Sequence, residues 1–289
     1  MNLTQKNFPG LIPHLAFMIS ENEINCNTDE NLRYNKEHVV CIIAMVNTPH
    51  PHLNPPPSRG RRLLGGASEG VMLPFRFSKS LKYKSQYPGV AFGLTLISGC
   101  RNFFNPPGFD QYKRKLLRKM RKRETLAEIT ARIEIYDRFF QSFGYECPLP
   151  KHLKRTIHSG FPRYNLMVDT HFMAEMCAGI LVAVTDYDCF DGNLTLDLAN
   201  DGEACKGMGQ RAITTKEGEI VLRDEKEIVC VLCQGADEKT RVGDNTQNVL
   251  FYAYAVPGIE GGYLKEGLNI AADTTSEFGN GKTEGVEIF

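Results

Sequence analysis

The sequence predicts an α+β fold, with helices in the first half and a mixed or antiparallel sheet in the second. Three observations predict it. In "ETLAEITARIEIYDRFFQSFG" the residues Leu126, Ile129, Ile133, Tyr136, Phe140 and Phe143 recur every three or four positions, the period of a helix face. After Gly179 the period falls to two, as along a half-buried strand. Of the 289 residues, 42% are hydrophobic, enough to build a core.

Residues 1–72 differ from the rest. Short apolar pieces such as "VVCIIAMV" run into "NTPHPHLNPPPSRGRRLLGGASEG", where Pro-Pro-Pro removes backbone donors and Gly-Gly adds chain entropy. We expect an irregular extension ending in a Pro/Gly/Arg-rich linker, with Arg59, Arg61 and Arg62 as its cations. This composition resembles a translated repetitive DNA insertion, so Met72 is an alternative expected start, and function is expected only from Leu73 onwards.

From Leu73 the chain is orderly. A mixed lead-in reaches Pro88-Gly89, then "VAFGLTLISG" reads as a first strand ending at Gly99. "NPPGFD" is a loop. The next stretch, from Gln111 to Gly144, reads as one long helix with Gly144 at its C-terminal cap. Two shorter helices follow, separated by Gly160 and Pro162; Asn165 caps the second, whose Val168, Phe172 and Met176 share a face. "ILVAVTDYDCFDGNLTLDLANDGE" supplies a strand, an Asp191-Gly192 turn and a second strand with Leu194, Leu196 and Leu198 on one face and Thr195 and Asp197 on the other. "GEIVLRD", "EIVCVLC" and "NVLFYAYA" supply further strands, and 259–289 is expected as a C-terminal tail.

The residues alone carry little chemistry. Lys113, Arg114, Lys115, Arg118, Lys119, Arg121, Lys122 and Arg123 place eight cations in eleven positions, against a formal net charge of zero for the whole chain. Such a run is either a solvated helix face or a contact to RNA phosphates. His152, His158 and His171 show no metal-ligand spacing, so surface or partly buried histidines are expected. The nine cysteines are scattered and odd in number, which suggests free thiols; Cys230 and Cys233 read as small apolar strand residues rather than a metal or redox pair. Neither a metal nor a cofactor is expected. With no apolar run of membrane-spanning length and no export signal, a soluble cytoplasmic protein without a membrane partner is expected.

Several pieces in order resemble the B3/4 domain, the editing domain of the bacterial phenylalanyl-tRNA synthetase beta subunit, which also occurs free-standing. They are "YPGVAFGLTLISG", "NLMVD", "DYDCFDGNLTLDLANDGE", "GEIVLRDEKEIVC" and "TRVGDNTQNVLF", and together they span 73–258. The resemblance implies hydrolysis, in trans, of the ester of a tRNA charged with the wrong amino acid, tyrosine in place of phenylalanine for the synthetase itself. It implies tRNA or aminoacyl-tRNA as the partner, rather than DNA, and no synthetic activity, since nothing here resembles an ATP-binding core.

Carried over by position, the resemblance puts Glu238 on the acidic residue that lines the editing pocket, as a catalytic or substrate-orienting carboxylate. A solvated loop acid is the alternative. Thr240, Asp186 and Asp169 are the expected substrate-binding neighbours, with Asp169 and Asp186 also readable as residues that satisfy backbone N–H groups. Thr246 and Asn248 are expected to fix the turn into the last strand. Three positions depart from the family pattern: Ala183 stands where a histidine is usual, Phe172 where an Asn is usual, and Asp197 where free-standing members carry a basic residue. Two functional classes follow, an ester hydrolase acting on aminoacyl-tRNA and a non-catalytic module that binds tRNA or an amino acid; a structural relic is a third, weaker reading.

Overall fold

The structure, a computed structural model, describes residues 73–289. The expected extension at 1–72, with Arg59, Arg61, Arg62, Cys26 and Cys41, lies outside the described residues. The chain begins with β1 (Phe77–Lys79), α1 (Leu81–Gln86) and β2 (Phe92–Ser98). Four helices follow, α2 (Phe109–Met120), α3 (Arg123–Ser142), α4 (Leu149–Ser159) and α5 (Leu166–Ala178). Strands then dominate: β3 (Leu181–Asp186), β4 (Leu194–Leu198), β5 (Ala204–Gly207), β6 (Arg211–Thr214), β7 (Ile220–Arg223), β8 (Ile228–Val231), β9 (Gly235–Ala236) and β10 (Val249–Tyr254). The last elements are α6 (Gly261–Gly279) and β11 (Lys282–Ile288). This is the expected α+β arrangement, helices first and mainly antiparallel strands after.

The strands form a four-stranded antiparallel sheet in the order β11-β2-β10-β3 and a five-stranded sheet in the order β1-β4-β7-β8-β9, with β5 and β6 as a separate ribbon. Only β1 and β4 run parallel among these pairs. One face of the four-stranded sheet takes α6. Gly93 makes that approach possible, because a Cβ there would lie 2.6 Å from Leu268 Cδ1. The other face meets the five-stranded sheet: Phe92 of β2 stacks on Phe77 of β1 at 4.8 Å, and the Cys230 thiol of β8 lies against Tyr252 and Tyr254 of β10. Every residue of β10 is buried, as a strand covered on both faces requires.

Local sequence explains most helix ends. Ser80 and Asn165 each accept a hydrogen bond from the backbone N–H three residues on, at 3.0 and 2.9 Å, opening α1 and α5. On α3, Ile129, Ile133, Tyr136 and Phe140 are buried as the spacing predicts, and Gly144 follows its end at positive φ.

Three expectations change. The single helix from Gln111 to Gly144 is two, broken at Lys122, whose ψ of 135° is extended. Arg118, Lys119, Arg121, Lys122 and Arg123 would repel one another at helical spacing, and Arg121 instead donates to Ile157 O of α4 at 2.5 Å. The strands on either side of Asp191-Gly192 do not pair; β3 and β4 belong to different sheets, so the turn carries the chain across the sandwich. Residues 259–289 are not a tail: α6 buries Leu264, Leu268 and Ala271, and β11 pairs with β2. The lead-in to the first strand also holds β1 and α1, and β5, β6 and β9 have no counterpart in the sequence reading; all are too short for a clear periodic signal.

Among the described residues no helix is long and apolar enough to cross a membrane, and no group of His, Cys, Asp and Glu is arranged to hold a metal. The described cysteines are free, Cys230 buried and Cys233 partly so.

Candidate functional site

The site residues expected from the sequence gather partly where the free edges of the two sheets, β3 and β9, meet. Asp186 ends β3, and its N–H donates to Thr240 O at 2.7 Å, tying that edge to the loop after β9. The Asp186 carboxylate accepts from Thr246 Oγ1 at 2.6 Å and from the Asp188 N–H at 3.0 Å. Burial pushes its pKa up, against those two hydrogen bonds. Thr246 also accepts from the Gly243 N–H at 2.9 Å, and Asn248 accepts from the Gly99 N–H while donating to Asp188. Both therefore fix the entry to β10 through side-chain to backbone bonds.

Thr240 is wholly buried, and its N–H donates to Asp237 Oδ1 at 3.1 Å while its hydroxyl donates to the same oxygen. Asp237 is 4% exposed, and burial raises its carboxyl to about 6 despite the Thr240 bonds and the charge of Lys239. Lys239 itself is occupied by Asp191 and Asp224 at 2.8 Å and Glu227 at 3.0 Å; burial disfavours its charge, but these carboxylates hold its pKa above the usual value. Asp237 lies close enough to Cys230 and Tyr252 to shift both. The Tyr252 hydroxyl is buried beside the Cys230 thiol, and Tyr252 pairs across β10 and β3 with Ala183. Ala183, Gly235 and Ala236 are half-buried, so small residues floor the edge beside this carboxylate.

Glu238 follows directly on Asp237. Its Oε2 accepts from the Gly209 N–H at 2.6 Å, and its Oε1 pairs with Arg241 Nε at 2.9 Å. Both oxygens anchor the loop after β9 to the turn between β5 and β6. Its side chain is 17% exposed, and each oxygen has one partner.

Asp169 is not part of the β3/β9 edge cluster. It sits in the first turn of α5, 1% exposed, accepting from the Tyr164 N–H and from Lys113 Nζ, both at 2.8 Å. Burial raises its pKa in spite of Lys113. A hydrogen-bonded chain does link the two regions: Met167 N–H donates to Asn102, Asn102 donates to Gly243 O, and Gly243 bonds Thr246 beside Asp186.

That arrangement corrects one member of the basic run. Lys113 is 5% exposed, donates to Asp169 and to Pro162 O, and lies over the Phe109 ring at 4.6 Å. It locks α2 to α5, with Asp110 3.5 Å from the same ammonium, and is buried away from the exposed cations of the run. Arg114, Lys115, Arg118, Lys119, Arg121, Lys122 and Arg123 are exposed. Lys151, Lys154 and Arg155 of α4 are exposed as well, and the Arg121 bond to Ile157 O brings that helix to the break between α2 and α3.

Two of the three departures, Asp197 and Phe172, have structural roles. Asp197 pairs with Arg223 at 3.2 Å, and Arg223 also holds Glu203 at 2.7 Å, so its negative charge is compensated. Phe172 is buried between the rings of His152 and His171. Those histidines flank Glu175, each 3.5 Å from one of its oxygens. Burial opposes the charge of Glu175, but the two histidines bring its carboxyl down to about 2.

Sequence spacing missed Asp237 and this histidine pair. Asp237-x-x-Thr240 has the spacing of a side-chain to backbone turn, a signal that would have singled Asp237 out. The i,i+4 spacing of His171 and Glu175 on α5 is a local signal for that pair, whereas nothing local marks His152, which comes from α4.

The B3/4 domain matches residues 132–278. No curated protein matches the chain. Among solved structures, an N-terminal fragment of the phenylalanyl-tRNA synthetase beta-subunit from Pyrococcus horikoshii is similar at 13% identity and a TM-score of 0.42, over 73% of this chain and 50% of that one. The chain thus spans about half the length of that fragment.

Proposed function

Since the chain belongs to the B3/4 domain family, we propose that it acts on aminoacyl-tRNA, hydrolysing the ester between a mismatched amino acid and the tRNA in trans. Family membership over 132–278 is the observation that carries this reading. Water adds to the acyl carbon, the bond from that carbon to the ribose oxygen breaks, and the free amino acid and the 3′-terminal hydroxyl are the products. An aminoacyl ester is already activated, so a positioned water and a base suffice without a side-chain nucleophile.

Of the two adjacent carboxylates, Asp237 is the better base. Its pKa of about 6 lets it be ionised at neutral pH and still accept a proton, and Thr240 fixes its orientation. Glu238 then acts as a positioning residue that holds the loop through Gly209 and Arg241. Thr240 and Asp186 border the amino-acid site, while Asp169 holds the first turn of α5, whose Met167 N–H begins the Asn102 chain to Thr246. The RNA backbone lies on the exposed cations from Arg114 to Arg123, with Lys113 excluded. In this reading the functional domain runs to the end of β11 rather than to 258, because α6 and β11 complete its main sheet.

The second reading is a non-catalytic module that binds tRNA or an amino acid. The occupied carboxylate of Glu238 and the apolar Ala183 favour it. Comparing Asp237→Asn with the unaltered protein on mischarged tRNA separates the two. A base role predicts amino-acid release about 100-fold slower in the variant; a binding module predicts no release from either.

A further inference from the structure

We propose that the loop between β2 and α2, residues 101–105, is a stacking platform for the single-stranded 3′ end of an RNA, with Phe104 as the ring that receives a base. The proposal rests on the reading of this chain as one that acts on tRNA, and it names the surface that carries the strand from the basic helices to the carboxylate edge. Phe104 is 73% exposed and Phe103 36%, and neither stacks on another ring among the described residues. Both rings face water from one short loop, where a base could cover them.

The loop is pinned from several sides. Arg101 N–H donates to Gly279 O at 2.9 Å, and Phe103 O accepts from the Leu166 N–H at 2.8 Å. Asn102 accepts from the Met167 N–H at 3.1 Å and donates to Gly243 O at 3.0 Å. Asn105, at φ +46°, donates to Asp110 Oδ2 at 3.1 Å. A loop held in this way has little freedom left to lose when a base stacks on it. The same bonds fix its place. Asn102 joins the Gly243 turn, beside Thr246 and Asp186, to the first turn of α5, which Lys113 locks to α2. The platform therefore sits between the candidate hydrolytic edge and the start of the basic helix.

Charge selects the partner. From Arg101 to Arg123 the chain carries nine cations and one acid, Asp110, which pairs with Arg163 and lies 3.5 Å from Lys113. Arg101 is exposed in the loop itself, and Arg114, Lys115, Arg118 and Lys119 continue along α2, with Arg118 about 14 Å from the helix start at 1.5 Å per residue. A track of cations that ends in exposed rings suits a single strand, because the cations take its phosphates and every base offers a face to stack. A duplex has no unstacked base for Phe104, and a partner bound by apolar contact alone would leave the cations unused.

Fluorescence anisotropy on the full chain tests this with two unacylated RNA hairpins of the same stem, one blunt and one ending in a short unpaired 3′ strand. The hairpin with the unpaired strand is expected to bind about tenfold more tightly. Phe104→Ala should abolish that gain and leave the affinity and salt slope for the blunt hairpin unchanged, since no phosphate contact is lost. Phe104→Trp should keep the gain. Neither hairpin carries an ester, so a gain that Phe104→Ala removes supports the platform even where no ester is hydrolysed, and ester hydrolysis without such a gain sinks the platform alone. Equal affinity for the two hairpins, or a gain that survives Phe104→Ala, overturns the proposal. A dimer in sedimentation that Phe104→Ala dissociates also overturns it, because the loop is then an interface between copies of this chain.

Discussion

Glu175 is 2% exposed, yet it is held as a charge between two histidines from different helices, with its Oε1 also accepting from the Val182 N–H. Burial lowers the His171 pKa, but Glu175 and Val182 O outweigh it and the net shift is upward. The group therefore contributes stability that is present below the unfolded value near 6.5 and lost as pH rises through the folded value. Glu175 works in the opposite sense, its contribution being lost as pH falls from the usual 4.5 through about 2. Other titratable groups near this pair are Tyr136 and Cys147, whose pKa values burial pushes up, to about 12 for Cys147, so neither ionises in this range. We predict that His171→Gln destabilises the fold by about 3 kcal/mol at pH 6, because it leaves a buried carboxylate short of a partner. Urea denaturation from pH 5 to 8 should show the gap to the unaltered protein narrowing as pH rises. At this scale the sequence was least legible. It singled out Glu238 and Thr240 by family position, but Asp237, one residue away, is the buried carboxylate with a near-neutral pKa, and burial is not readable from a loop sequence.

Helices and strands were legible where their apolar periodicity was clear, and not by length alone, since the 19-residue α6 was read as a tail. The buried face of α3 and the Asn165 cap of α5 followed from spacing and residue type, whereas the break at Lys122 depended on charge crowding and on a tertiary bond to α4. The β3/β4 turn looked like a hairpin because its residues suit one; only the pairing of β4 with β1 and β7 shows that it crosses between sheets. Gly179, after α5, has φ +63°, and a Cβ there would lie 3.0 Å from Ile129 O of α3. Gly179→Ala should cost about 1–2 kcal/mol from backbone strain alone, with a further contribution from that backbone contact, measured as a lowered urea midpoint. For the basic elements, Arg118→Glu with Lys122→Glu should weaken tRNA binding across sequences and flatten its salt dependence, by about 0.7–0.9 in the log–log slope for each phosphate no longer neutralised. A salt slope unchanged by the pair would make this run a solvated face.

The described residues, 73–289, form a sandwich with two different open edges, one carrying the Asp237 and Asp186 cluster and the other the groove at β1 and β11. Its closure depends on residues 259–289, which the sequence presented as a tail because "IEGGYLKEGLNIAADTTSEFGNGKTEGVEIF" is rich in glycine and mixes polar with small residues. In the fold those small residues permit close packing: α6 lies on α5, where a Cβ at Gly267 would come within 2.7 Å of Ile180. Truncation after Gly258 exposes Leu264's partners and the β2 edge, so the shortened protein should lose its cooperative thermal transition; a retained transition would restore the expectation of a tail. The α+β class and most strand positions were legible in the sequence. The order of strands in two sheets was not, since long-range pairing leaves no local pattern. The central claim, hydrolysis of mischarged aminoacyl-tRNA, is tested most directly by following release of amino acid from a panel of mischarged tRNAs, led by tyrosine on the phenylalanine acceptor, between pH 5 and 8. Turnover of one or more esters is expected, rising with pH through about 6 as Asp237 ionises and then level. No turnover of any ester by folded protein would contradict it.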